Sequence, residues 1–269
     1  MYNTQKQYLT SVEVPQKTTT YKPISHTELI DLTLGGIEKA GFKLGKESYT
    51  TAKDGNVANG LYTIENIKDN EMQLQIGWQN SYDKTLSLKF AIGAHVFICS
   101  NGIVRGDMGT FKRKHTGDVQ EFTPYTIIEN IKSVGETFEK IQSERELLKT
   151  LEVDKRTVAE LVGRMIVEEE FIRSSQLNII RSEIKHPSYE YRSEGSLWEL
   201  YQHTTHSLKE THPSMWMKNH ISAHDFFIGA YNELSLESSP KINIPLELNE
   251  NNEYGIDHER QLKLFSEVN

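Results

Sequence analysis

Residues 72–92, MQLQIGWQNSYDKTLSLKFAI, contain two runs in which apolar and other residues alternate. The apolar positions are Met72, Leu74, Ile76 and Trp78 in the first run and Leu86, Leu88, Phe90 and Ile92 in the second. Because successive side chains of a strand point to opposite faces of a sheet, this period of two predicts two half-buried strands. Ser81-Tyr-Asp83 separates the two runs, so we expect neighbouring strands of an antiparallel sheet.

The residues before this stretch predict two more strands, over about 42–52 and 60–67. Lys53-Asp-Gly-Asn56 between them contains Asp-Gly, which tolerates the positive φ of a tight hairpin. Beyond the quoted stretch, Gly93 predicts a bulge or bend, and residues 94–99 continue the strand chemistry. We therefore expect an antiparallel meander of four or five strands, with one face buried and one available.

Helices are predicted on both sides of this sheet. Ser25 and Glu28 have the spacing of a capping box and precede a helical stripe that stops at Gly41. After the sheet, Thr123-Pro124 predicts the start of a long helix. Further helices are expected after Asp154, over 175–185, from Ser196, and around 215–234. The fold class is thus α+β: an N-terminal helix, an antiparallel meander, a long helix across the sheet and further C-terminal helices.

The same pattern divides the chain into four parts. We expect a flexible N-terminal segment over 1–24 and a core of helix and sheet over 25–122. A helical region over 123–234 is expected to pack on that core, and an acidic tail over 235–269 to follow it.

Composition restricts the class of protein. The 269 residues carry a net charge of −8, which disfavours nucleic acid and acidic membranes as partners of the whole surface. No apolar run is long enough for a membrane helix, and the polar N-terminus lacks the centre of a secretory signal. Cys99 is the only cysteine, so no intrachain disulfide can form. These features predict a cytoplasmic protein.

The charge is segregated along the chain. Residues 84–115 hold six Lys or Arg against Asp107 alone, a local charge of +5, which leaves about −13 for the remainder. Within this block, residues 99–115 read CSNGIVRGDMGTFKRKH, where Gly106 and Gly109 would let backbone approach an anion. We expect Lys89, Arg105, Lys112, Arg113 and Lys114 to contact phosphates. Phe111, and also Trp78, Tyr82 or Tyr125, are candidates to stack bases. A solvated loop is the alternative interpretation of this block, and no Walker pattern is present.

Other chemistry is less specific. Five histidines fall within residues 203–224, and the metal candidates among them are His203, His206, His220 and His224. The pattern lacks the glutamate of a zincin motif, and chance clustering on helix surfaces is the simpler interpretation, so we predict no metal and no cofactor. His95 and Cys99 would lie about 13 Å apart along a strand, too far for thiolate activation. No acid pair forms a catalytic pattern, and we predict that the chain is not an enzyme.

Two resemblances add to these expectations. The stretch FAIGAHVFICSNGIV, Phe90–Val104, resembles the signature of a family of unknown function carried by phages, prophages and plasmids. Leu197-Trp-Glu-Leu-Tyr201 with Thr204 or Thr205 is similar to that family's C-terminal element, and the similarity covers about 25–210. It implies an origin in a mobile element. The order of elements also resembles the core of phage single-strand annealing recombinases, whose rings or filaments hold single-stranded DNA in a basic groove between sheet and helix.

The sequence therefore leads to three functional hypotheses. The first is a non-catalytic mobile-element protein that binds single-stranded nucleic acid, with DNA annealing as one form of this function, and that assembles as a homo-oligomer. The second is a host-targeting interaction or counter-defence protein with no nucleic-acid binding, whose acidic surface captures a basic partner. The third is a metal-dependent enzyme built on the histidines of residues 203–224.

Overall fold

The computed structural model describes residues 2–97, 102–104, 111–113, 119–191 and 193–238. Arg105, Lys114 and Cys99 lie outside these ranges, as does the predicted tail from residue 239 onward. The strands are β1 Tyr2–Thr4, β2 Leu44–Ala52, β3 Val57–Lys68, β4 Met72–Ser81, β5 Leu88–Val96, β6 Gly102–Val104 and β7 Phe111–Arg113. The helices are α1 Lys6–Ser11, α2 His26–Lys39, α3 Val119–Lys132, α4 Val134–Thr150, α5 Lys155–Val167, α6 Ser174–Lys185, α7 Leu197–Ser207 and α8 Pro213–Ser238. Met1–Ser235 form one compact unit, which holds every element apart from the last three residues of α8.

The strands form one antiparallel sheet in the order β1-β2-β3-β4-β5-β6. β7 also pairs with β5, over Leu88–Phe90, whereas β6 pairs with it over Gly93–His95. The four long strands, β2 to β5, are the predicted meander, and helices precede and follow it. The α+β fold class is confirmed.

Several helix ends match their sequence signals. The side chain of Ser25 accepts a hydrogen bond from the Glu28 N–H, at 2.9 Å, and begins α2. Asp154 caps α5 through the Thr157 N–H, at 2.8 Å, and Ser196 caps α7. These short polar side chains satisfy N–H groups that have no partner inside the helix.

The structure differs from the predictions in three places. The segment 1–24 contains β1 and α1, which are too short to have a sequence period, and Leu9 of α1 is only 1 % exposed. The single helix predicted from Thr123 begins earlier, at Val119, and is interrupted at Ser133, so α3 and α4 are separate. The β4–β5 register runs through Gly93 without a bulge. A side chain at Gly93 would instead clash with the Ile103 carbonyl oxygen, so the glycine permits the close approach of β6.

The core face of the sheet carries the predicted apolar stripe. Trp78, Ile76, Phe90 and Ile92 are fully buried there, and the helices after the sheet contribute to the same core. α2 is fixed to this face by hydrogen bonds of His26, whose Nε2 lies 2.9 Å from the Gly55 carbonyl oxygen and whose Nδ1 lies 3.1 Å from Asn80 Nδ2. The carbonyl oxygen can only accept, so Nε2 carries the proton and Nδ1 accepts from the amide.

Ion pairs join α4 to the turn between β3 and β4. Asp69 in this turn accepts from the N–H groups of Glu71 and Met72 at 2.7 and 2.8 Å, and its other oxygen lies 2.7 Å from Arg145 Nη1. Lys149 pairs with Glu71 at 2.7 Å. Burial opposes the charge of Asp69, but these hydrogen bonds and one from Gln142 outweigh it and lower its pKa to about 2.

We expect Asp69→Asn to lower the free energy of unfolding by about 1 to 2 kcal/mol at neutral pH, because the buried Arg145 loses one of its counter-charges. The native pKa of Asp69 lies below its value in the unfolded chain. Its contribution is therefore present above about pH 4 and is lost as the pH falls toward about 2. Urea denaturation across this range should show a shallower acid loss in the variant. Exposed Asp31→Asn is the control, and equal unfolding energies of the two variants at neutral pH would contradict the assignment.

Candidate nucleic-acid interface

A row of polar residues crosses the second face of the sheet. The register places residues opposite one another on successive strands, here Asn3, Thr50, Asn59, Gln79, Lys89 and Lys112. Each of these residues can form hydrogen bonds, and the row ends in two lysines on β5 and β7. At the usual spacing of strands it spans roughly 24 Å. We call this set the polar row and the surface that contains it the polar face.

Hydrogen bonds between side chains order the middle of the polar row. Gln79 Nε2 donates to Asn59 Oδ1 at 2.9 Å, and Asn59 Nδ2 donates to Thr50 Oγ1 at 3.1 Å. Gln79 and Asn59 are buried, whereas Thr50 is half-buried. A parallel link lies nearer the other end of the strands, where Gln75 Nε2 donates to Thr63 Oγ1 at 3.2 Å. The face is therefore built from oriented amides and hydroxyls.

Carboxylates do not occupy the paired positions of this face in the part of the sheet that the structure describes. Alternation would place Glu65 on this side. It lies in the irregular stretch of β3, where the pairing with β4 is interrupted, and it forms an ion pair with Lys43 at 2.7 Å. At the paired positions that the structure describes, the polar face thus carries no unpaired carboxylate, on a protein whose net charge is −8.

Cations lie at the edges of the polar face. Lys46 of β2 is exposed and forms no ion pair with any described carboxylate, and Lys89 of β5 is half-buried. Burial lowers the pKa of His95, and the positive charges of Lys46 and Lys209 lower it further. The charges of these two lysines therefore act at this end of the sheet and add to the effect of burial.

Part of the polar face is covered. Met217 of α8 packs against Ala91 and Val104, and Trp216 packs against the same cluster. The sequence predicted one buried and one available face, and the cover by α8 shows that the centre of the second face is not available. Accessible residues remain on β2, where Lys46 is exposed and Ser48 and Thr50 are half-buried, and on β3, where Leu61 and Thr63 are half-buried.

The predicted contact residues have different outcomes. Lys89 lies on the polar face, and Lys112 is its register partner on β7. Phe111 and Arg113 are the other two residues of β7, opposite Phe90 and Leu88, while Arg105 and Lys114 lie outside the described residues.

Two of the candidate stacking residues are unavailable. Trp78 is 0 % exposed on the core face, and its Nε1 donates to the Tyr62 hydroxyl at 3.0 Å. Tyr82 is 3 % exposed and stacks on His26 with ring centroids 4.0 Å apart. The prediction that these rings stack bases is wrong, and the alternation itself marked Trp78 as a core residue. Tyr125 of α3 is 65 % exposed.

The histidines of residues 203–224 are divided between separate environments. His203 and His206 of α7 each lie 3.9 Å from an oxygen of the buried Glu183. His224 of α8 instead lies between the Tyr201 hydroxyl and Glu144, each at 3.2 Å, and His220 contacts the ring of Trp216. Among the described residues, no group of three or more potential ligands is placed to hold a metal ion. The spacing of two histidines along one helix therefore does not bring a third ligand to them here.

His203 has a structural environment. It is 4 % exposed, and the Tyr191 ring meets it edge-on at 5.1 Å. Burial lowers its pKa to about 4, although the charge of Glu183 acts in the opposite direction. The neutral imidazole is therefore part of the folded core at physiological pH.

The depressed pKa of His203 predicts a stability loss in mild acid. The unfolded chain binds the proton more tightly, so stability should fall as the pH drops from about 6.5 toward 4. We expect His203→Gln to reduce the loss between about pH 7.5 and pH 5 by about 1 to 2 kcal/mol, as measured by urea denaturation. His212→Gln, at an exposed position, is the control. An unchanged pH dependence in His203→Gln would contradict this role.

Comparison with known proteins supports a family assignment. In the part of the chain that the structure describes, no helix is both long and apolar enough to cross a bilayer. The chain matches no curated protein and no solved structure significantly. A family model described as a domain of unknown function, DUF932, matches residues 16–223, which is more than half of the chain. The chain therefore belongs to the DUF932 family.

Proposed function

We propose that this protein binds single-stranded nucleic acid along the polar face as a non-catalytic protein of a mobile element. The observation that carries the proposal is a hydrogen-bonding row with lysines at one end, on a face that has no carboxylate at its paired positions in the described part of the sheet. A polyanion needs such a surface, because an unpaired carboxylate beside a phosphate repels it at close range.

The chemistry of the face suits a single strand better than a duplex. Phosphates would pair with Lys46, Lys89 and Lys112, releasing counterions. Half-buried Thr50 and Thr63 and the amide of Gln73 offer hydrogen bonds to exposed base edges or sugars. The register places Phe111 opposite the core residue Phe90, so the exposed Tyr125 ring is the remaining described candidate for stacking. A duplex would present its charges on a rigid cylinder, whereas a strand can follow a twisted sheet.

The net charge of −8 requires the attraction to be local. Exposed charges further apart than a Debye length of about 10 Å are largely screened at moderate salt, so distant acids weaken binding less than nearby lysines favour it. Assembly into a homo-oligomer would join the modest patches of several subunits into one track. Such a track could hold two complementary strands in turn, which is the basis of an annealing activity.

Fluorescence polarisation with a labelled oligothymidylate tests the proposal. We expect Lys46→Glu to raise the Kd at least about fivefold and to reduce the slope of log K against log salt by about one or more, since one phosphate contact is lost and one repulsion gained. Lys39→Glu, an exposed charge reversal on α2, is the matched control and should leave Kd within about twofold.

Absence of binding at low salt would exclude the proposed function. If Lys46→Glu and Lys39→Glu weaken oligothymidylate binding equally, only the net charge of the protein affects binding, and the polar face is not the binding site.

A further inference from the structure

A groove between α5 and α6 has an apolar floor. Its volume is about 790 Å³. The apolar residues that line it include Val153, Val158, Val162, Leu177, Ile180 and Ile184. Ile184 is 41 % exposed, and most of the others are only half-buried. Contiguous apolar surface of this kind, open to solvent, is typical of binding sites.

Cations surround this apolar floor. Lys155, Arg181 and Lys185 line the same groove, and no Asp or Glu lines it. None of the three forms an ion pair in the described part of the chain, although the whole sequence has 38 acidic residues for 30 basic ones. Lys155 lies in the first turn of α5, where the helix dipole disfavours a positive charge. A carboxylate of a partner would pair with these cations and would offset the unfavourable interaction of Lys155 with the helix dipole.

We propose that this α5–α6 groove binds an acidic amphipathic helix of a partner protein. The apolar stripe of the helix would lie on the floor, and its flanking carboxylates would meet Lys155 on one side and Arg181 and Lys185 on the other. α5 has 13 residues and α6 has 12, so each is about 18 to 20 Å long, which suits three to four turns of a bound helix. This site is independent of the nucleic acid proposed for the polar face.

Other occupants fit less well. A phosphate backbone would use the three cations but would leave the apolar floor in contact with water or polar sugar. A small apolar ligand usually has most of its surface enclosed, whereas the half-buried and exposed lining residues leave this groove open. A basic partner would meet unpaired cations without any compensating acid.

The test uses a fluorescein-labelled synthetic helix of about 18 residues with leucine along one stripe and glutamate elsewhere, added to the full chain. We expect measurable binding that weakens at least about tenfold in Arg181→Glu, because one ion pair becomes a repulsion at a partly desolvated site. Ala159→Trp, which fills the groove without changing charge, should weaken binding by a similar factor. Lys39→Glu is the charge-matched control and should bind like the wild type. Circular dichroism melting of each variant confirms that it is folded.

Four results would overturn the proposal. The wild type does not bind the acidic helix, or Arg181→Glu binds it as tightly as the wild type does. Alternatively, a helix with lysine in place of glutamate binds as tightly as the acidic helix, or Lys39→Glu weakens binding as much as Arg181→Glu does. Loss of oligothymidylate binding in Arg181→Glu with no effect on the acidic helix would assign the groove to phosphates instead. Displacement of the acidic helix by a fatty acid but not by an unlabelled acidic helix would assign it to an anionic lipid.

Discussion

The pleat of β4 is the constraint on which the rest of the structure depends. Trp78 and Gln79 are neighbours in the chain, and the pleat sends one into the aromatic core and the other into the polar row. A shift of one residue in the register would exchange these two sets, burying amides against helices and exposing the indole. The core contacts of one face therefore fix the chemistry of the other, and the register cannot slip without a large loss of stability.

The helices hold this register from both ends of the strands. α2 contacts the sheet through His26 and Asn80 near the β2–β3 hairpin. α4 is tied to the β3–β4 turn by the ion pairs of Asp69, Arg145 and Lys149. Because charged groups that are partly removed from water need close partners, these contacts specify the position of α4 more than they add to its stability.

Local sequence signals predicted the long strands and helices. They could not predict features that depend on the pairing register of the strands or on contacts between residues far apart in the chain. Alternation identified β4 and β5, and the caps at Ser25, Asp154 and Ser196 identified helix starts. The polar row unites six strands, and no short window of sequence contains the pairing of Thr50 with Asn59 and of Asn59 with Gln79. The cover by Trp216 and Met217 follows from the path of α8, more than a hundred residues after the strands it contacts. The groove of α5 and α6 could not be predicted either. An apolar stripe on a helix has the same pattern whether it packs against the core of its own chain or against a partner.

Photocrosslinking of an oligonucleotide that carries 4-thiothymidine, followed by mass spectrometric mapping of the modified peptides, tests the central claim most directly. If the carboxylate-free face holds the strand, the modified peptides come from β2, β3 and β5, around Lys46, Thr63 and Lys89. Crosslinks confined to the helices after residue 119, with none on these strands, would contradict a nucleic-acid site on the sheet.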